Sequence, residues 1–306
     1  MIAGGLYGLL VADAFGVPYE FHDPKNLPPE DELEPIPPEG FNRSHRGVPV
    51  GTWSDDGAQA LALLDSLLTC GGLDLDDLGR RFVGWWNHGA YTPDGRPFDI
   101  GNQTTDALKL LEAGQSAAST GGTGERDNGN GSLMRVLPVA LWCTEEDEVL
   151  VEVAEGQSLP THGHPRSQVC CALYALWARR TLQGDVRAYQ DAVDTLAGIY
   201  KGRSDHRYAE ELAFVRKPFS PRGTGYVVDC LHSARAALRK PDYPSVVRHA
   251  VAFGLDTDTT AAVAGGIAGL RHGLGGIPTE WVALLKGREQ VEDLLHRLEQ
   301  HRGTVR

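Results

Sequence analysis

This sequence is short of positive charge. Its 306 residues carry 29 Lys and Arg against 41 Asp and Glu, a formal net charge of −12 at pH 7. Without a basic surplus a chain does not neutralise a phosphate backbone or an anionic bilayer, which argues against general nucleic-acid and membrane-surface binding. A small phosphate-bearing ligand needs only one local site and stays allowed. Cysteine is scarce too: Cys70, Cys143, Cys170, Cys171 and Cys230 are odd in number and show no CxxC spacing. That set builds neither a disulfide framework nor a zinc knuckle; it reads as reduced thiols, and the expected location is the cytoplasm. The apolar opening, residues 1–11, is short, has no basic flank and runs into Asp13, so it is read as neither a signal peptide nor a membrane span. Alternating strand patterns are rare as well.

What is present is helical. Apolar positions recur at three- and four-residue intervals over 58–68, 105–111, 133–142, 167–182, 186–200, 227–238, 246–253, 260–270 and 291–301. The breaks are long: 23–50 holds seven prolines, and 114–131 is dense in Gly, Ser, Thr and Asn. Structureless segments of that length in a compact domain are more often ligand loops or lids than connectors. No internal repeat or linker appears, so the expectation is one all-α domain over 1–306.

Two stretches set carboxylates against small apolar runs: WSDDGAQALALL, with Asp55 and Asp56, and GLDTDTTAAVAGGIAGL, with Asp256 and Asp258. Residues two apart diverge on a helix and converge in extended chain, so Asp256 and Asp258 share a ligand only if the helix starts near Thr259. Capping is the plain alternative, since Asp and Thr satisfy free N–H groups at helix starts. The all-round apolar run after Asp258 implies a buried helix, where uncompensated carboxylates are costly. No Lys or Arg lies within seven residues of either pair; the nearest are Arg46 and Arg248. Four Asp with the hydroxyls of Ser54 and Thr259 form a hard oxygen set suited to Mg²⁺, Mn²⁺ or Ca²⁺, and the adjacent pair Asp55–Asp56 suits two ions better than one. The segment DNGNGSLMR reads as an anion cradle, its Asn-Gly repeats favouring positive φ at a helix N-terminus.

Taken in order, ADAFGVPYE, WSDD, DNGNGSLMRVLP, THGHP and GLDTDTTAAVAGGIAGLRHG with IPTEW resemble the ADP-ribosylglycohydrolase family over about residues 1–285. The resemblance implies an all-α fold with a two-metal centre, Mg²⁺ or Mn²⁺, that cleaves ADP-ribose from an ADP-ribosylated protein or a small ADP-ribosyl ester. Matching positions are Ser54, Asp55 and Asp56 for one metal triplet and Asp256, Asp258 and Thr259 for the other. Glu20 matches a glutamate over the metals, and Glu20 or Asp55 is the group expected to handle the proton. Asp99 and Asn102 match positions facing the ribose; Gly129, Asn130, Gly131 and His162 match ligand contacts, and Tyr226 an aromatic near the ribose. Asp13 is read as structural. Departures are Gly57 for a common Thr and Leu255 for a Gly. A dinuclear phosphoesterase and a non-catalytic ADP-ribose binder are the competing readings.

Overall fold

The computed structural model describes residues 1–304. In chain order the α-helices are α1 (Ile2–Gly16), α2 (Asp55–Cys70), α3 (Leu75–His88), α4 (Asn102–Glu112), α5 (Leu137–Trp142), α6 (Asp147–Gly156) and α7 (Pro165–Leu182). They continue with α8 (Ala188–Lys201), α9 (Arg207–Val215), α10 (Val227–Ala237), α11 (Tyr243–Val251), α12 (Thr257–His272), α13 (Thr279–Leu284) and α14 (Arg288–Thr304). Among the described residues there is no strand, only isolated bridges at Gly122–His162 and Gly129–Tyr226. This is the all-helical single domain the sequence implies.

The centre is the pair α1 and α12, both buried on nearly every face. Helices that are apolar all round carry no amphipathic stripe, which is why α1 escapes a periodicity search. Its segment Ile2–Tyr19 is apolar enough and long enough to cross a membrane by composition, yet 89% of it is buried inside the protein. Glycines let the two helices touch backbone to backbone. A Cβ on Gly8 would stand 2.4 Å from the Gly265 carbonyl oxygen, and one on Gly269 would stand 2.0 Å from that of Gly4. At the far end, a Cβ on Gly16 would fall 2.3 Å from Asp258 Cα, and the Thr257 hydroxyl donates to the Gly16 carbonyl at 2.8 Å. The seam therefore sets the height of Asp256 and Asp258 against α1.

Two helix starts differ from the sequence pattern. α12 begins at Thr257, with Asp256 as its N-cap, rather than near Thr259. α5 begins at Leu137 because Pro138, lacking an N–H, is best placed in a first turn; consecutive turns precede it. The amphipathic α3 and the short α6, α9 and α13 complete the bundle.

Candidate active site

Three chain regions meet at the floor of a 710 Å³ cavity: the N-terminus of α2, the N-terminus of α12 and the turn after α1. Ser54 caps α2, its Oγ accepting from the Asp56 N–H at 3.4 Å. Asp13, on α1, accepts the N–H groups of Ser54 (2.9 Å) and Gly57 (2.8 Å), so the structural role expected of it is to fasten α2 onto α1. Ser54 Oγ and Thr259 Oγ1 each donate to Asp56 Oδ2 at 3.2 Å, joining the two acidic motifs across 203 residues of sequence. Asp256 and Asp258 converge although α12 starts early, because the N-cap residue is not yet helical; with Glu20 they place carboxylate oxygens within 4.8 Å of one another.

Among the described residues no Lys or Arg pairs with these carboxylates, and His45 alone lies against Glu20. Asp56 Oδ1 and Asp258 Oδ2 are buried and have no hydrogen-bond partner. A bare buried carboxylate oxygen is expensive, and a bound cation is one way of satisfying it. Burial first, then mutual repulsion, lifts the carboxyls of Asp55, Asp56 and Asp258 well above the usual range. Glu20 is pushed up to about 11 by burial and by Asp99, Asp256 and Asp56; burial takes Asp13 to about 7 against the N–H groups it accepts. Hard oxygen donors with unsatisfied lone pairs fit divalent cations.

These shifts carry a stability consequence with a definite sign. A carboxyl whose pKa is higher folded than unfolded favours the protonated fold, so its contribution is full below the unfolded values of 3.8 and 4.5 and is lost as pH rises through the folded values. In chelator, the melting temperature should fall from roughly pH 5 to pH 8, each group that titrates there costing on the order of 1 kcal/mol per pH unit. Mg²⁺ or Mn²⁺ should flatten the slope; a flat profile in chelator would contradict the assignment.

The walls hold most of the remaining expected residues. Asp99 and Asn102 line the cavity beside Ile100 and Gly101, and Gly129, Asn130, Gly131 and His162 line it as well. Asn130 Nδ2 donates to Asp256 Oδ2 at 2.8 Å, tying the Asn-Gly loop to the acidic floor. The glycines serve a different purpose from the one their sequence suggests. Neither Gly129 nor Gly131 has positive φ, and no helix starts directly after them. A Cβ on Gly131 would meet His162 Cε1 at 2.8 Å, and one on Gly129 would meet His162 Nε2 at 3.2 Å, so both are needed for room. The Gly129 N–H is already given to Gln103 Oε1 (3.2 Å) and that of Asn130 to the Gly225 carbonyl (3.0 Å). His162 is buried, with its pKa driven down to about 3 by burial and by Arg135, so it is a neutral wall. Tyr226 stands apart: Thr224 and Gly225 line the cavity there, while the Tyr226 ring lies against Phe219 with its hydroxyl 3.5 Å from Arg166.

Several site residues carried no local signal. His45 Nε2 lies 2.7 Å from Glu20 Oε2 and 3.7 Å from Asp99 Oδ1, brought there by the proline-rich loop. Gln103 pins the Asn-Gly loop, donating also to the carbonyls of Asp127 (3.0 Å) and Thr161 (3.2 Å); its place beside Asn102 was the only hint. Gln59 donates to Asp55 Oδ2 at 3.3 Å and accepts from the buried Arg135 at 2.7 Å. Arg126 is the one Lys or Arg among the cavity's lining residues. Four of the five non-glycine residues with positive φ, Phe21, His45, Asp99 and Leu255, surround the mouth. Such backbone costs roughly 1–3 kcal/mol per residue and clusters at functional sites. Leu255 holds a φ of 61°, a conformation that glycine adopts without the same cost.

Comparison with known proteins decides the class. The family model described as ADP-ribosylglycohydrolase matches residues 1–306. The chain belongs to the ADP-ribosylglycohydrolase family. It is 30% identical over 303 residues to the ADP-ribosylarginine hydrolase Tri1 of Serratia proteamaculans, covering 96% of this chain and 78% of that one. It is 27% identical over 308 residues to the ADP-ribosyl-[dinitrogen reductase] glycohydrolase of Rhodospirillum rubrum, covering 95% and 94%. A solved structure titled ADP-ribosylglycohydrolase-related protein complex superposes with a TM-score of 0.76 at 28% identity, over 98% of this chain and 97% of the other. The glycohydrolase fold and the acidic floor thus occur together in a chain that is an enzyme of this family.

Proposed function

We propose that this glycohydrolase removes ADP-ribose from the side chain of an ADP-ribosylated protein, with arginine the favoured acceptor, by hydrolysis at the anomeric carbon of the distal ribose. The observation that carries the reading is the set of buried, unpartnered carboxylate oxygens on Asp56 and Asp258 at the floor of the cavity. Ser54, Asp55, Asp56, Asp256, Asp258 and Thr259 would hold two divalent cations, Mg²⁺ or Mn²⁺. When bound, these supply Lewis-acid stabilisation and lower the pKa of an oxygen ligand. Relatives named as ADP-ribosylarginine hydrolases support the arginine linkage.

The side chains divide the remaining work. Asp99 and Asn102 orient the ribose, and the Asn-Gly loop with Arg126 faces the diphosphate, where a guanidinium suits phosphate oxygens. Gly129 and Gly131 keep the wall open beside neutral His162, with Tyr226 supporting it from behind. Glu20 holds the proton that the leaving nitrogen takes as the glycosidic bond breaks through an oxocarbenium-like transition state. His45 holds Glu20 at the cavity, its Nε2 2.7 Å from Glu20 Oε2, whereas Asp55 Oδ2 accepts from Gln59.

Turnover on ADP-ribosyl-arginine, ADP-ribosyl-serine, ADP-ribosylated nucleobase and O-acetyl-ADP-ribose, each with chelator or with Mg²⁺ and Mn²⁺, tests this. Free ADP-ribose should appear fastest from the arginine linkage and only with an ion. Cleavage of a simple phosphoester, with no ADP-ribose released from any of the four, would overturn it.

A further inference from the structure

Basic side chains without carboxylate partners gather on one face. Two surface cavities, of 790 and 620 Å³, share Arg235 of α10 and Arg239 just beyond it. The larger adds Arg271 and Arg187, the latter paired with Asp191 at 3.3 Å, the smaller Arg216 and Lys217, and Asp185 is the one acid lining either. Nearby cations are matched within the fold: Lys240 lies 2.7 Å and His249 2.8 Å from Glu30, and Arg248 pairs with Glu34. Arg216, Lys217, Arg222, Arg235 and Arg239 form no ion pair among the described residues. Instead Arg235 lies over the Tyr189 ring at 3.9 Å, Lys217 over Phe214 at 5.2 Å and Arg222 over Phe219 at 6.0 Å.

The face runs into the rim of the catalytic cavity. Residues 216–221 line the smaller basic cavity, and three residues later Thr224 and Gly225 line the catalytic one. The facing segment repeats this, with Phe253 on the basic side and Leu255 on the catalytic side. The Asp256 N–H donates to the Gly223 carbonyl at 3.0 Å and fastens the two segments together. Arg222, Gly225 and Leu255 are exposed along this rim.

A chain with net charge −12 repels acidic macromolecules unless a local patch of opposite sign offsets that field. We propose that this face docks an acidic protein surface, that of the acceptor whose modified side chain enters the cavity. The inference rests on the hydrolase reading above and adds the class of protein recognised. Complementary charge at a rim raises the association rate and fixes orientation, and salt weakens it.

The test compares one linkage, ADP-ribosyl-arginine, on three carriers: an acidic protein, a basic protein and an uncharged short peptide. The variant combines R216E, R235E and R239E, all exposed and outside the catalytic cavity. The native enzyme should prefer the acidic carrier at low salt and lose that preference at high salt. The variant should lose about tenfold or more in kcat/KM on the acidic carrier, gain on the basic one, and stay within about twofold on the peptide. Equal kcat/KM on acidic and basic carriers, or an equal loss on peptide and protein, overturns the docking surface while leaving the hydrolase intact. No turnover of any carrier overturns both readings.

Discussion

Asp258→Ala should abolish ADP-ribose release and yet raise the melting temperature measured in chelator. Both effects follow from one atom. Asp258 Oδ2 is buried with no partner, and its carboxyl is raised by burial and by the charges of Glu20, Asp99, Asp56 and Asp256. Removing it relieves repulsion in the ion-free fold, so chelated protein gains stability. The same removal takes away a ligand that the cations need. Losing several kcal/mol of transition-state stabilisation corresponds to about 10³-fold or more in kcat/KM. Thermal melts with and without Mn²⁺, run beside turnover, separate the two: the native chain should be stabilised by the ion, and the variant hardly at all. A variant that is less stable in chelator and still gains from Mn²⁺ would show the carboxylate to be structural.

Gly8→Val should be the most damaging single change to stability. Its Cβ would lie 2.4 Å from the Gly265 carbonyl oxygen and 3.0 Å from Gly269 Cα. Backbone atoms offer no rotamer to yield, so α1 and α12 would have to separate. Overpacking of this kind costs about 3 kcal/mol or more, which for a chain this size lowers the melting temperature by roughly 5 °C or more. Gly198→Ala is the control: within α8, a Cβ there meets nothing within 4 Å. It should gain about 0.5–1 kcal/mol through helix propensity. Chemical or thermal melts of the two variants check both; equal, small effects would mean that the seam has slack.

The acidic motifs were legible because their chemistry is local: two Asp beside a hydroxyl, ahead of a run too apolar to lie on a surface. Their convergence needed only a non-helical N-cap at Asp256, and the early start of α12 did not matter. His45, Gln59, Gln103 and Arg126 were illegible for the opposite reason. Each is an ordinary polar residue in its own neighbourhood, and its place is set by packing that the sequence does not display, as when Gln103 meets the carbonyl of Thr161, 58 residues on. The Asn-Gly loop does line the cavity, but for a different reason from the one its sequence suggests. Asn-Gly signals positive φ in general, whereas here the glycines make space for an imidazole. α1 shows the limit of periodicity, since a helix wrapped on all sides has no face to alternate.

The seam between α1 and α12 also has a clock in it. Gly16 and Thr257 touch across 241 residues, so α1 waits that long for α12 during synthesis. At the usual synthesis speed of about 5–20 residues per second, that wait is roughly 12–50 s. Throughout it a glycine-rich apolar segment lacks its main partner, and the growing chain is exposed to misassembly and to chaperone capture.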